Sequence, residues 1–141
     1  MLLKNFENDM TKTLNSELIE QFAKSAVETT ATVERVSNTP EALNEALLKE
    51  IAEEEFVLLS HPDDIDVELF SIFQKHEKVV TQPTKEQLKN IKIGITDAFC
   101  GIAKTGSVCV TVSNNLTSPA SMLTRKHIVV VDGKTIVSRP S

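Results

Sequence analysis

The sequence predicts an α/β fold: a mainly parallel sheet with helices on both faces and an antiparallel hairpin at one edge. Three observations carry this. Short, wholly apolar runs such as Phe56-Val57-Leu58-Leu59 have the unbroken hydrophobicity of strands buried on both faces. Segments with apolar residues at helical spacing alternate with those runs, the pattern of βα units. The last two strand-like runs are joined by Asp132-Gly133, a two-residue hairpin signal.

Each element has a local reason. Leu14, Leu18, Ile19, Phe22, Ala23 and Ala26 recur on one helical face. Residues 29–36 are rich in Thr and Val and read as a strand. Thr39-Pro40 opens a helix, with a hydroxyl cap and Pro at the first helical position. That helix buries Leu43, Leu47 and Ile51, and Phe56–Leu59 follows as a central strand. Asp63 and Asp64 cap a helix carrying Leu69, Ile72 and Phe73. Val79-Val80 reads as a strand, and Thr84-Lys85-Glu86-Gln87 is a capping box for a short helix. Strands follow at 93–96 and 107–112, with helical turns at 118–126. Strands at 127–131 and 134–137 complete the chain. The whole reads as one domain over 1–141, with residues 1–13 a loose N-terminal segment.

Composition narrows the function. The 141 residues include no Trp, no Tyr and only 6 Phe, so the core is aliphatic. No apolar run approaches the ~20 residues of a membrane span, and no secretion signal is evident, so a cytoplasmic location is expected. Cys100 and Cys109 fit neither a CxxC nor a Cys/His ligand spacing, so free thiols and no metal site are expected. The net charge of −5 is uneven. Residues 1–70 hold 5 basic and 16 acidic side chains; residues 71–141 hold 10 and 4. The basic half either complements the acidic half within the fold or attracts an anionic ligand. Basic clusters with interleaved aromatics are missing, which argues against nucleic acid as a partner.

The chemistry-bearing stretch is Asp97-Ala98-Phe99-Cys100-Gly101-Ile102-Ala103-Lys104-Thr105-Gly106-Ser107-Val108. Two glycines five residues apart lie before a strand-like run. Such a loop presents backbone N–H groups to an anion, or is simply a Thr-Gly turn between strands. Asp97 is a general base, a residue that orients a ligand, or a cap at a strand end. The candidate ligand-binding residues are therefore Asp97, Gly101, Lys104, Thr105 and Gly106. Ser118 and Ser121 with His127 lack a third residue at recognisable spacing, so no triad is assigned. His61 reads as a loop residue, His76 as a surface residue and His127 as structural. Glu53-Glu54-Glu55 reads as a solvated helix end.

From about Glu20 to Val137 the chain resembles the LUD domain, the lactate-utilization family of the sugar-phosphate isomerase/CoA-transferase-like fold. Asp97-Ala98 and Gly101-Ile102-Ala103-Lys104-Thr105-Gly106-Ser107-Val108 are similar to the family's Asp-Ala-Gly-Ile-Ala-Glu-Thr-Gly-Thr-Val. His127-Ile128-Val129-Val130-Val131 is similar to its His-Ile-x-Val-Val. The family's acidic residue before Thr-Gly is Lys104 here, and its C-terminal Gly-Pro-Ser-x-Thr-Ala-Asp-Ile-Glu segment has no counterpart before Ser141. The resemblance implies a role in oxidising L-lactate to pyruvate beside iron–sulfur partner subunits, with no cofactor in this chain. The first expectation is an accessory component that binds a small anion or docks to those partners. The alternatives are a small enzyme acting on a sugar phosphate or acyl-CoA, and a non-catalytic interaction module. In that last reading an unpaired sheet edge favours a homodimer.

Overall fold

The structure is a computed structural model and describes residues 2–5, 12–28, 31–60, 65–110 and 125–138. In chain order these form β1 (Leu2–Asn5), α1 (Lys12–Glu28), β2 (Glu34–Ser37), α2 (Pro40–Glu50) and β3 (Val57–Leu59). Two 3-10 turns follow (Val67–Phe70 and Phe73–Lys75), then β4 (Val79–Val80), α3 (Lys85–Asn90) and β5 (Ile93–Ala98). The chain continues through β6 (Cys100–Ile102), β7 (Ser107–Cys109) and β8 (Lys126–Asp132). A 3-10 turn (Gly133–Thr135) leads into β9 (Ile136–Val137).

The main sheet has six strands in the order β2-β1-β8-β5-β3-β4, and every pairing in it is parallel. The α/β class and the parallel sheet are therefore as the sequence predicts. The long central pair is β5 with β8, in register from Ile93 opposite Lys126 to Ala98 opposite Val131. All six residues of β5 are buried, as a central strand requires.

Alternation along these strands feeds two cores. Ile93, Ile95, Ile128 and Val130 pack with Leu43, Leu47, Phe70 and Phe73 on the face of α2 and the 3-10 turns. Ala98, Val129 and Val131 pack with Ile19 and Phe22 of α1 on the opposite face. The helices thus cover both faces. A second, three-stranded sheet in the order β7-β6-β9 packs against α1, and its Ile136 joins the α1 core.

Local capping chemistry is where the sequence places it. Thr39 Oγ1 accepts the Ala42 N–H at 3.1 Å, with Pro40 starting α2. Both halves of the Thr84–Gln87 capping box are present.

Four expectations are corrected. Residues 1–13 are not wholly loose: Leu2–Asn5 is a strand inside the main sheet, between β2 and β8. Of the strand expected over 29–36, residues 31–33 are irregular and β2 begins at Glu34, residues 29 and 30 lying outside the described residues. The helix expected after Asp63-Asp64 is two 3-10 turns, and the first is capped by Asp66, whose side chain accepts the Glu68 N–H at 3.0 Å. Asp132-Gly133 does not close an antiparallel hairpin at the edge of the main sheet. Asp132 Oδ1 takes the Lys134 N–H at 2.9 Å, which tightens the chain into a 3-10 turn. Its continuation, β9, crosses to the second sheet and pairs parallel with β6. The antiparallel hairpin of this fold is β6–β7 in that second sheet. His61, Asp63, Asp64, Ser118, Ser121 and residues 118–124 of the turns expected at 118–126 lie outside the described residues, and Lys126 at the end of that stretch is the first residue of β8, not helical.

Candidate functional site

Open parallel sheets place ligand sites at the carboxyl ends of their strands, near the point where the connections change direction. In this sheet β1 leads outward to β2 at one edge and β3 to β4 at the other, which leaves β8 and β5 between the two diverging connections. Asp97, near the carboxyl end of β5, is buried, with only 5 % of its surface exposed. It follows Ile93 and Ile95 on the α2 face, and its Oδ2 accepts the Ile65 N–H at 2.9 Å. Ser60, at the end of β3, is also buried, and its N–H bonds the Ile95 carbonyl at 2.9 Å. Asp132 ends β8, two residues beyond Val130, which pairs with Asp97.

The Asp97–Ile65 contact fixes the return of the chain after β3. A buried backbone donor left without its acceptor costs about 1–3 kcal/mol. Asp97→Ala is therefore expected to lower unfolding stability in urea by about 2 kcal/mol. Asp97→Asn, which keeps an acceptor oxygen, should cost less than half of that. Equal losses in the two variants would show that the charge, not the Ile65 bond, is what the fold uses.

The other candidate residues come together elsewhere. Gly101, Lys104, Thr105 and Gly106 lie in the β6–β7 hairpin against α1, on the other side of the main sheet from Asp97. Both glycines are explained by packing. A Cβ on Gly101 would stand 2.9 Å from Phe22 Cε2 and 3.2 Å from Ile136 Cγ1. Gly106 has φ +70°, and a Cβ there would stand 2.3 Å from the Ala26 backbone nitrogen. The loop amides are also engaged: Ala103 N–H with Val137 O at 2.7 Å, Lys104 N–H with Ser138 O at 3.0 Å, and Gly106 N–H with Ile102 O at 2.8 Å. Ser25 Oγ on α1 donates to the Lys104 carbonyl at 3.3 Å. The Lys104 and Thr105 side chains are exposed at the tip of the turn, and Thr105 Oγ1 donates to Ser107 Oγ at 2.9 Å.

Sequence reasoning missed the partner of His127. Its Nε2 lies 2.6 Å from the hydroxyl of Thr96, which is 1 % exposed. Strand alternation puts both on the α1 face, since Ala98 and Val129 join the core there. A Thr and a His among the apolar residues of β5 and β8 were the available signal. Burial holds the His127 pKa below its ordinary 6.5. The folded state therefore resists protonation that the unfolded state accepts. Stability is full above pH 6.5, falls as pH drops below it, and levels off once the folded His127 is itself protonated. His127→Gln should flatten that part of a denaturation-versus-pH curve; an unchanged slope would assign the fall to other groups.

At the opposite, amino-terminal end of the sheet lies a groove of about 620 Å³, lined in part by Glu53–Glu55, Phe56, Glu86 and Lys92. The acid run is thus one wall of a groove between the α2–β3 connection and α3. Among the described residues no three His, Cys, Asp or Glu are grouped to hold a metal ion. No described helix is long and apolar enough to cross a membrane.

Comparison with curated proteins and with solved structures gives no match. The family model of the LUD domain, however, matches residues 19–140, from within α1 past β9, with β1 outside the matched stretch. The chain belongs to the LUD-domain family.

Proposed function

We propose that this chain is an accessory component of an L-lactate oxidation system, binding a small anion or docking to the iron–sulfur subunits that carry the electrons. The observation behind the reading is the LUD-domain match over residues 19–140, which ties the chain to lactate utilization. Oxidation of lactate to pyruvate releases two electrons and two protons, so an electron acceptor has to stand beside whatever holds the carboxylate. Iron–sulfur clusters in partner subunits would supply that acceptor.

Charge supports the anion-binding part. The half of the chain from residue 71 onward carries 10 basic and 4 acidic side chains. At the hairpin tip, Lys104 stands where the family pattern has an acid. An ammonium favours a carboxylate or phosphate and cannot act as a carboxylate nucleophile. With the amides of Ala103, Lys104 and Gly106 bonded within the fold and the Thr105 hydroxyl donated to Ser107, the exposed Lys104 side chain is the group that supports anion binding at the tip.

The test is an affinity pull-down of the tagged chain from its native cells, with mass spectrometry and an iron assay on the eluate. Iron–sulfur oxidoreductase subunits recovered with the chain would support the proposal. Recovery of the chain alone and iron-free would overturn the docking part and favour the enzyme reading, to be pursued with sugar-phosphate and CoA ligands. Separately, Lys104→Ala should abolish binding of lactate or phosphate measured by calorimetry; unchanged binding would remove the hairpin tip from the site.

A further inference from the structure

Cys100 and Cys109 stand directly opposite each other in the antiparallel β6–β7 pair. Gly101 and Val108, the next pair along, turn toward α1: Gly101 abuts Phe22, and Val108 packs on the α1 core. Alternation therefore turns Cys100 and Cys109 to the outer face of the second sheet, together with exposed Ser107. Both cysteines are free and partly exposed. Opposite residues of an antiparallel pair have Cα atoms roughly 4.5–5.5 Å apart, inside the range of roughly 4.4–6.8 Å that a disulfide spans. The backbone is irregular at this pair. Phe99 N–H bonds the Cys109 carbonyl at 2.9 Å, so Phe99 and Cys100 together face Cys109, as in a β-bulge. A bulged strand bends and twists locally.

We propose that Cys100 and Cys109 form a reversible dithiol–disulfide site that reacts with small-molecule disulfides of the glutathione type. The Cys109 thiolate attacks one sulfur of the small disulfide, whose S–S bond breaks and releases one small thiolate. Cys100 then loses its proton and attacks the Cys109 sulfur, forming the Cys100–Cys109 bond and expelling the second small thiol. Two protein thiols are oxidised and one small disulfide is reduced to two thiols, so atoms and electrons balance. The order of attack follows from the surroundings of Cys100. Burial first, then its hydrogen bond to Cys109 and the charge that Cys109 can carry, raise its pKa to about 11. Cys100 therefore keeps its proton longer and acts as the resolving thiol. The bridge would close a ring around the turn that carries Lys104 to Gly106 and lock it as a hairpin.

The experiment uses the full chain, incubated across a series of reduced and oxidised glutathione, quenched with acid, and followed by thiol titration and intact mass. Far-ultraviolet circular dichroism checks that each variant is folded. The expected wild-type result is two titratable thiols at the reduced end and none at the oxidised end. The oxidised product should be a monomer lighter by two hydrogens, without adduct, and should return to the dithiol at the reduced end. Cys100→Ser should instead trap a glutathione adduct on Cys109, and Cys109→Ser should acquire one on Cys100 more slowly. A wild-type chain that carries glutathione on either cysteine without closing the ring, or that bridges only between molecules, would overturn the proposal. A faster adduct on Cys100 than on Cys109 would overturn the order of attack.

Discussion

Gly106→Ala is expected to destabilise the protein by about 3 kcal/mol or more, combining the cost of the left-handed conformation with that of forced overpacking. The two costs have separate origins. With φ at +70°, any L side chain brings its Cβ against its own carbonyl. The new methyl would also stand 2.3 Å from Ala26 N, 2.5 Å from Ala26 Cα and 2.6 Å from Ser25 C. Those are backbone atoms in the last turns of α1, which cannot swing aside as a flexible side chain does. The hairpin has to lift from the helix, breaking the Ser25–Lys104 contact and exposing Ala103, which is fully buried. Urea unfolding of the variant beside Lys104→Ala and Thr105→Ala gives the comparison. Those two exposed side chains should change stability by no more than about 0.5 kcal/mol. A Gly106→Ala chain of normal stability that had lost anion binding would instead mean that this glycine admits a ligand.

The same contrast explains which features could be read from the chain. Thr39-Pro40 and the Thr84–Gln87 box were legible because a cap is decided within four residues. β3 was legible because burial on both faces leaves an uninterrupted apolar run. β1 was not, because Leu2-Leu3-Lys4-Asn5 has no pattern of its own; β2 and β8, far along the chain, supply its hydrogen-bonding partners. Asp132-Gly133 misled for the opposite reason. Its hairpin signal is local, but Asp132 bonds the Lys134 N–H instead, and pairing with β6 then captures Ile136-Val137. In the candidate site, the spacing of Gly101 and Gly106 marked two special backbone positions. It could not show that the neighbour requiring them is α1, roughly 80 residues earlier, and not a bound anion. The separation of Asp97 from the hairpin was equally hidden. One residue of register, Asp97 to Ala98, switches the chain from the α2 core to the α1 core.

Phe22 and Gly101 should show strong, non-additive coupling. Phe22 is fully buried at the centre of the α1 core, so Phe22→Ala is expected to cost about 3–5 kcal/mol. Gly101→Ala alone should cost about 1–3 kcal/mol, because its Cβ would stand 2.9 Å from Phe22 Cε2 and 3.2 Å from Phe22 Cδ2. In the Phe22→Ala background the obstructing ring is gone, and the alanine methyl enters the space it leaves. The second substitution should then be close to neutral, with a coupling of about 1–3 kcal/mol between the two sites. Additive losses in a denaturant double-mutant cycle would show that Gly101 is held by something other than Phe22, with Ile136 the next contact to remove. The cycle also separates packing from ligand access at this glycine. If Gly101 keeps a path open for an anion, the double variant regains stability at position 101 without regaining binding. If Gly101 exists only to let β6 lie against Phe22, then any anion binding that survives Phe22→Ala is unchanged by adding the methyl.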